Sequence, residues 1–167
     1  MKNLLHCAGL LMLMLLSGFA HADGQETRAC EFEVRVRCAS GDARVTLADG
    51  AVIRVEVNVY WCALHGHPPF ACTIDSSRTD QDSLWSEGAG PTLIANKSPW
   101  NPDQPDRVKV TVGRDVSIDL DEAQSLGRCG AGAELPRAIV IPAQGKACRV
   151  RLGARGPVYT DAFRHPR

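Results

Sequence analysis

Apolar and polar residues alternate strictly along the first part of the chain after residue 29. One side of this pattern is apolar and carries Cys30, Phe32, Val34, Val36 and Cys38. The other side is charged and carries Glu31, Glu33, Arg35 and Arg37. A period of two predicts a half-buried β-strand. In such a strand the Cα atoms of Cys30 and Cys38 are roughly 26 Å apart. A disulfide requires less than about 7 Å, so these two cysteines are not expected to pair.

The next alternating segments predict a β-hairpin at residues 44–61. Val45 is apolar before the turn, and Ile53, Val55, Val57, Val59 and Trp61 form an apolar series after it. A three-residue loop of Ala48, Asp49 and Gly50 places Val45 opposite Ile53, whereas a two-residue Asp-Gly turn places it opposite Arg54. Gly50 suits the left-handed conformation that the third loop position requires. We therefore predict the three-residue loop.

A second hairpin is predicted around the turn at Gly113, Arg114 and Asp115. The register that satisfies both faces pairs Val112 with Val116, Val110 with Ile118, Val108 with Leu120, Lys109 with Asp119 and Arg107 with Asp121. Agreement between the apolar and the charged pairs favours this register. It also predicts that Asp119 and Asp121 form ion pairs on the solvent side and are not a catalytic pair.

Further strand patterns occupy residues 70–76, 92–95, 137–141 and 147–152, and residues 121–127 suit one or two helical turns. About nine short strands separated by frequent turns predict an all-β fold. An antiparallel β-sandwich is the expected architecture, with a small barrel as the alternative.

The N-terminal residues 1–22 have the pattern of a secretory signal peptide. Lys2 precedes a short apolar stretch, and Ala20-His21-Ala22 fits a cleavage site. Residues 23–167 are then expected to form a single domain, with a mobile tail after Gly153. This pattern predicts a periplasmic or secreted protein with no membrane span in the mature chain.

Six cysteines remain after the signal peptide: Cys30, Cys38, Cys62, Cys72, Cys129 and Cys148. An even number in an oxidising compartment predicts three disulfides. Pairing Cys62 with Cys72 would close the loop between two predicted strands. With Cys30–Cys38 excluded, Cys30 and Cys38 would then bond to Cys129 and Cys148 in one of two arrangements.

Charge and motifs exclude several functions. The mature chain has 18 basic and 19 acidic residues once Lys2 is removed, which gives no electrostatic footprint for nucleic acid. It contains no G-x-S-x-G, H-E-x-x-H, Walker or Rossmann motif. The protein is therefore not expected to be an enzyme, and no cofactor is predicted.

The segment from Cys62 to Cys72 is the predicted working surface. Leu64, His65, His67 and Phe70 are the candidate binding residues, and Pro68-Pro69 would restrict the loop. This segment resembles the loop of bacterial periplasmic lysozyme inhibitors, some of which insert a disulfide-tied, histidine-bearing loop into the enzyme's cleft. The resemblance covers these 11 residues. It implies a protein-binding module, an inhibitor or immunity protein acting on a cell-wall hydrolase.

Two alternatives stay open for this segment. His65 and His67 could place two imidazoles on copper or zinc, although no third ligand is identified and no metal site is assigned. The loop could also belong to a structural accessory domain. A second possible surface consists of Arg35, Arg37, Arg149 and Arg151, which could recognise carboxylates or phosphates or be paired with acids such as Glu31 and Glu33.

Overall fold

The structure is a computed structural model of the chain. It describes residues 24–35, 38–62, 70–97, 103–123, 129 and 135–153. The predicted signal peptide and the tail after Gly153 lie outside these ranges.

Ten strands account for the regular structure of the described residues. They are β1 (Gln25–Val34), β2 (Ala39–Ala48), β3 (Ala51–Trp61), β4 (Phe70–Ser77), β5 (Ser83–Ser86), β6 (Thr92–Asn96), β7 (Asp106–Val112), β8 (Val116–Asp119), β9 (Ala138–Ile141) and β10 (Arg149–Arg151). They form two antiparallel sheets that are not closed into a barrel. The all-β sandwich is confirmed, with ten strands instead of about nine.

Each sheet follows the order of the chain. The first sheet has the order β1-β2-β3-β4, and the second has the order β10-β9-β8-β7-β6-β5. Every pairing within the two sheets is therefore between strands that are adjacent in sequence, and one parallel bridge, from Glu31 to Ala147, links β1 to the segment before β10. The chain passes from one sheet to the other once, between β4 and β5.

One hydrophobic core lies between the two sheets. The first sheet contributes the fully buried valines of β2 and β3, namely Val45, Val55, Val57 and Val59. The second contributes Ile94, Val110, Ile118 and Ile139, which are also buried. These residues occupy alternate positions of their strands, as the side-chain period of a β-strand requires.

The turn between β2 and β3 differs from the prediction. Ala48 pairs with Ala51, so Asp49 and Gly50 form a two-residue turn. Both have positive φ, 51° and 79°, which is the conformation of a type I′ turn. A β-bulge follows, since Leu47 pairs with Val52 while Thr46 pairs with Arg54. The bulge leaves Ile53 unpaired and restores the inward parity of the later valines, so the predicted three-residue loop was wrong.

The β7–β8 hairpin confirms the predicted register as far as the Lys109–Asp119 pair. Val112 pairs with Val116, Val110 with Ile118, and Lys109 with Asp119. Val108 and Leu120 are both fully buried. Beyond the Lys109–Asp119 pair the backbone N–H of Arg107 donates to the carbonyl oxygen of Glu122, and the salt bridges of Arg107 and Lys109 are with Glu122, so the predicted Arg107–Asp121 pair was wrong.

β9 and β10 lie within the last two predicted strand segments, and they pair as an antiparallel hairpin. Of the predicted helical turns at 121–127, residues 121 and 122 form a turn, which is closed by the hydrogen bond from the Ala123 N–H to the Leu120 carbonyl oxygen. Residues 124–127 lie outside the described ranges.

The three disulfides differ in part from the prediction. Cys30 pairs with Cys148, Cys38 with Cys62, and Cys72 with Cys129. The predicted absence of a Cys30–Cys38 bond is confirmed, and Cys148 is one of the two partners expected for Cys30. The predicted strand through Cys38 was wrong, however, because β1 ends at Val34 and Cys38 lies in the turn before β2. The Cys62–Cys72 bond and any bond from Cys38 to the C-terminal cysteines were wrong.

The strand register explains why Cys62 does not reach Cys72. Cys72 lies opposite Val59 in the β3–β4 pair, so Cys62 is displaced by three residues, about 10 Å along the strand. That distance exceeds the limit for a disulfide. Cys38 is closer because Ala39 pairs with Trp61, which places Cys38 next to Cys62.

Candidate functional site: the roots of the β3–β4 connection

The predicted binding loop connects two paired strands of the first sheet. Leu64, His65 and His67 lie outside the described residues. Phe70 is the first residue of β4, and its backbone pairs with Trp61, the last residue of β3. Residues 62–69 therefore join two neighbouring strands at one end of the sheet. The structure describes the two ends of this connection, at the end of β3 and the start of β4, and we call these ends its roots.

The first root is Cys62, which is cross-linked to the connection between β1 and β2. The Cα atoms of Cys38 and Cys62 are 5.7 Å apart. The backbone N–H of Cys62 also donates a hydrogen bond of 3.1 Å to the carbonyl oxygen of Cys38. Cys38 has φ of 51°, an uncommon conformation for a residue other than glycine. Trp61, just before this root, is buried in the core.

The second root is the start of β4, which is cross-linked to Cys129 in the C-terminal half of the chain. Cys72 lies two residues after Phe70, and its Cα is 4.3 Å from that of Cys129. Cys72 and Cys129 are buried in the core. The connection therefore starts beside one disulfide and ends beside another, and each of them ties it to a different segment.

The sequence analysis did not identify Cys38 and Cys129 as the residues that anchor this connection. The available indication was the position of Cys38, one residue before β2, and of Cys62, one residue after β3. Extension of the β2–β3 pairing by one step brings them together, but only in the register with the bulge. For Cys129 the sequence contains no comparable indication, because its neighbours in the chain show no strand pattern.

The metal alternative is not supported by additional ligands in the described part of the chain. Among the residues that the structure describes, no three His, Cys, Asp or Glu side chains are grouped closely enough to hold a metal ion. His65 and His67 themselves are outside that part.

The arginine surface is engaged in ion pairs. Arg35 Nε lies 3.1 Å from Glu33 Oε1, Arg149 contacts Asp115 at 2.5 Å, and Arg151 contacts Asp121 at 3.0 Å. Arg37 is outside the described residues. The three described arginines thus have carboxylate partners, two of which come from β-turns of the second sheet and not from Glu31 or Glu33.

The contacts of Asp115 lead to a prediction for its pKa. Its carboxylate accepts hydrogen bonds from the backbone N–H of Ala143 and from Arg149. These bonds lower the pKa of Asp115, with the Ala143 bond as the larger cause. The pKa of Asp115 is therefore lower in the folded protein than in the unfolded chain, where it is near 3.9. The stabilisation from its two hydrogen bonds is fully present at pH values above the unfolded pKa. It is lost as the pH falls through the pKa of the folded protein.

We expect an NMR titration to give Asp115 a pKa below 3.9 in the native protein. Arg149→Gln should raise this pKa but leave it below the usual value, because the Ala143 bond remains. Arg151→Gln is the matched control and should leave the pKa of Asp115 unchanged. An ordinary pKa for Asp115 in the native protein would contradict this account of its contacts.

Comparisons with protein-family models, with curated proteins and with solved structures find no match for this chain. Within the described ranges, no helix has the length and apolar character needed to cross a membrane.

Proposed function

We propose that the protein is an exported protein-binding module whose binding surface is built on the β3–β4 connection. The observation that carries this proposal is the cross-linking of both roots of the connection, by Cys38–Cys62 and by Cys72–Cys129. The three disulfides suit an oxidising compartment, in agreement with the signal-peptide pattern of residues 1–22.

Cross-linked roots favour binding through conformational entropy. A connection whose ends are fixed has fewer conformations to lose when it docks on a partner, so a larger share of the contact energy appears as affinity. Both roots are also held by packing, because Trp61 and Cys72 are buried in the hydrophobic core. The sequence adds Pro68 and Pro69, which restrict the backbone further.

The proposed partner is a cell-wall hydrolase, with the protein acting as its inhibitor or as an immunity protein. This class rests on the export pattern and on the resemblance of residues 62–72 to the loop of periplasmic lysozyme inhibitors. Leu64, His65, His67 and Phe70 are the proposed contact residues. Side chains that fill a desolvated pocket near the centre of an interface carry most of the binding energy, and the proposal places these four in the cleft of the hydrolase.

The test is a binding measurement with oxidised mature protein, residues 23–167, immobilised against a panel of cell-wall hydrolases. We expect one hydrolase to be retained and inhibited, and we expect His65→Ala with His67→Ala to weaken its binding by about tenfold or more. His165→Ala is the matched control, since it removes a histidine from the C-terminal tail. It should bind like the wild type.

The same measurement distinguishes the other readings. Binding that requires added copper or zinc, and that a chelator abolishes, would instead favour metal uptake by His65 and His67. Retention of no hydrolase, or equal retention by the double variant, would reject the proposal that this connection is an inhibitory surface.

A further inference from the structure

The outer strand of the first sheet, β4, has a long backbone edge. The other edge strands of the two sheets are β1, β5 and β10. β5 and β10 have only four and three residues, and such short edges offer little for another chain to pair with. β1 is bridged to the segment before β10 by the Glu31–Ala147 pair and by the Cys30–Cys148 disulfide. β4 has eight residues and is the longest edge strand that no other described segment bridges.

The hydrogen bonds at the end of β4 show which of its backbone groups point away from β3. The N–H of Arg78 donates to the carbonyl oxygen of Ile53 at 3.0 Å, which continues the β3–β4 register. Bonded and non-bonded positions alternate along an antiparallel pair, so the even-numbered residues of β4 bond to β3. The outward groups belong to Ala71, Thr73 and Asp75. Ser77 has the same parity, and its carbonyl indeed turns outward to accept the N–H of Asp80 at 3.0 Å.

The outward groups of β4 are open to another strand. No described residue bonds to the N–H or C=O groups of Ala71, Thr73 or Asp75, and all three residues are exposed. Long edges are commonly guarded by lysine, proline or a bulge, and β4 contains none of these. Its one charged residue, Asp75, is bound by Arg54 at 3.1 and 2.8 Å. The edge is therefore a free template for strand pairing.

We propose that β4 pairs in antiparallel orientation with β4 of a second copy of this chain, centred on Thr73. Thr73 then lies opposite Thr73 of the second copy, and Ala71 lies opposite Asp75. Each of these three pairs joins outward groups and makes two N–H···O=C bonds, which gives six in all. A shift of the axis by one residue leaves Asp75 opposite residue 69, outside the strand, or Ala71 opposite Ser77, whose carbonyl is already bonded.

A second copy suits this edge better than a foreign peptide. Peptides that add to a sheet edge are selected by pockets for their side chains, and the short side chains of Ala71 and Thr73 offer little for such selection. A Thr73–Thr73 pair is favourable across strands, and the register keeps the two Asp75 carboxylates apart. The mature chain has 18 basic and 19 acidic residues, so net charge does not hold two copies apart. The dimer does not depend on the function proposed for the β3–β4 connection.

Analytical ultracentrifugation of oxidised mature protein, from micromolar to millimolar concentration, tests the dimer. We expect a reversible monomer–dimer equilibrium. Thr73→Lys should raise the dissociation constant by about tenfold or more, because it sets two like charges opposite each other at the centre of the pairing. Thr27→Lys is the matched control, since it makes the same change at an exposed position of the other edge strand, β1, and should have no effect. A monomer at all concentrations, a dimer that withstands Thr73→Lys, or a dimer lost in Thr27→Lys would each overturn the proposal.

Amide hydrogen exchange, followed by NMR, tests the register. The amides of Cys72 and Ile74 bond to β3 and should be protected at every concentration, and in Thr73→Lys their protection shows that the sheet is intact. The amides of Ala71, Thr73 and Asp75 should be protected only at high concentration, where the dimer forms. Rapid exchange of these three amides in the dimer would contradict the pairing. Protection that requires a different protein would assign the edge to a foreign strand and would equally overturn the proposal.

Discussion

Replacing Cys30 and Cys148 together with alanine should lower the free energy of unfolding by about 4 kcal/mol, because the other two disulfides already shorten the loop that this bond closes. These cysteines are 118 residues apart in sequence, so their bond closes the longest loop of the three and restricts the unfolded chain most. The bond also fixes β1 beside the segment before β10. There the backbone N–H of Glu31 donates to the carbonyl of Lys146 at 2.7 Å, and the N–H of Cys148 donates to the carbonyl of Glu31 at 2.8 Å.

Urea denaturation of the double variant and of the oxidised wild type measures this effect. The matched control is the alanine pair at Cys38 and Cys62, which are 24 residues apart and should cost about 3 kcal/mol in the same treatment. If removal of the Cys38–Cys62 bond proved the more damaging, loop length would not be the main source of stabilisation.

Gly41→Ala should destabilise the protein by about 3 kcal/mol, near the upper end of the usual cost of overpacking. Gly41 lies in β2 between Phe32 of β1 and Val59 of β3. A Cβ atom there would collide with the backbone carbonyl oxygen of Asn58 and would lie 2.7 Å from Cζ of Phe32. The backbone oxygen belongs to the paired strand β3, so relief of the collision requires β2 and β3 to separate.

Gly88→Ala is the control, because nothing lies within 4 Å of a Cβ built at Gly88. Its midpoint in thermal or urea unfolding should be unchanged or slightly higher, since alanine reduces the freedom of the unfolded chain. A Gly41→Ala variant as stable as Gly88→Ala would mean that the β2–β3 spacing adapts to a methyl group.

The parts of the fold that could be predicted from sequence are those in which two faces of a strand gave independent information. In the β7–β8 hairpin the valine pairs and the Lys109–Asp119 pair agreed, and this register is confirmed. The sandwich class followed from the same alternation in the other strands. Leu93-Ile94-Ala95 is an apolar run with no alternation, so the sequence did not reveal that Leu93 faces solvent while Ile94 is buried.

The register of the β2–β3 hairpin could not be predicted, because the two-residue turn and the β-bulge have opposite effects on which side chains face the core. A two-residue turn alone would turn Val55 away from the core, and the extra residue Ile53 reverses this effect. The three-residue loop keeps the same inward parity but displaces the register by two residues. That displacement puts Cys38 opposite Tyr60 instead of Cys62, and the correct disulfide was therefore missed.

The location of the candidate site followed from the sequence, but its anchoring did not. Strand patterns on both sides of residues 62–69 indicated a connection at the end of a sheet, and the structure pairs Trp61 with Phe70. The anchoring depends on Cys129, which is 57 residues from Cys72. Local patterns carry no information about contacts over such a distance.

The Cys30–Cys148 bond has a consequence for the order in which the protein can be made. Cys30 is the first of the six disulfide cysteines along the chain and Cys148 is the last. In synthesis or translocation that begins at the N-terminus, Cys38–Cys62 and Cys72–Cys129 can each close before Cys148 has emerged. Cys30 has no native partner during that whole period. Any bond that it forms earlier is non-native and must be exchanged, so correct maturation requires that oxidation of the first strand be delayed or reversible.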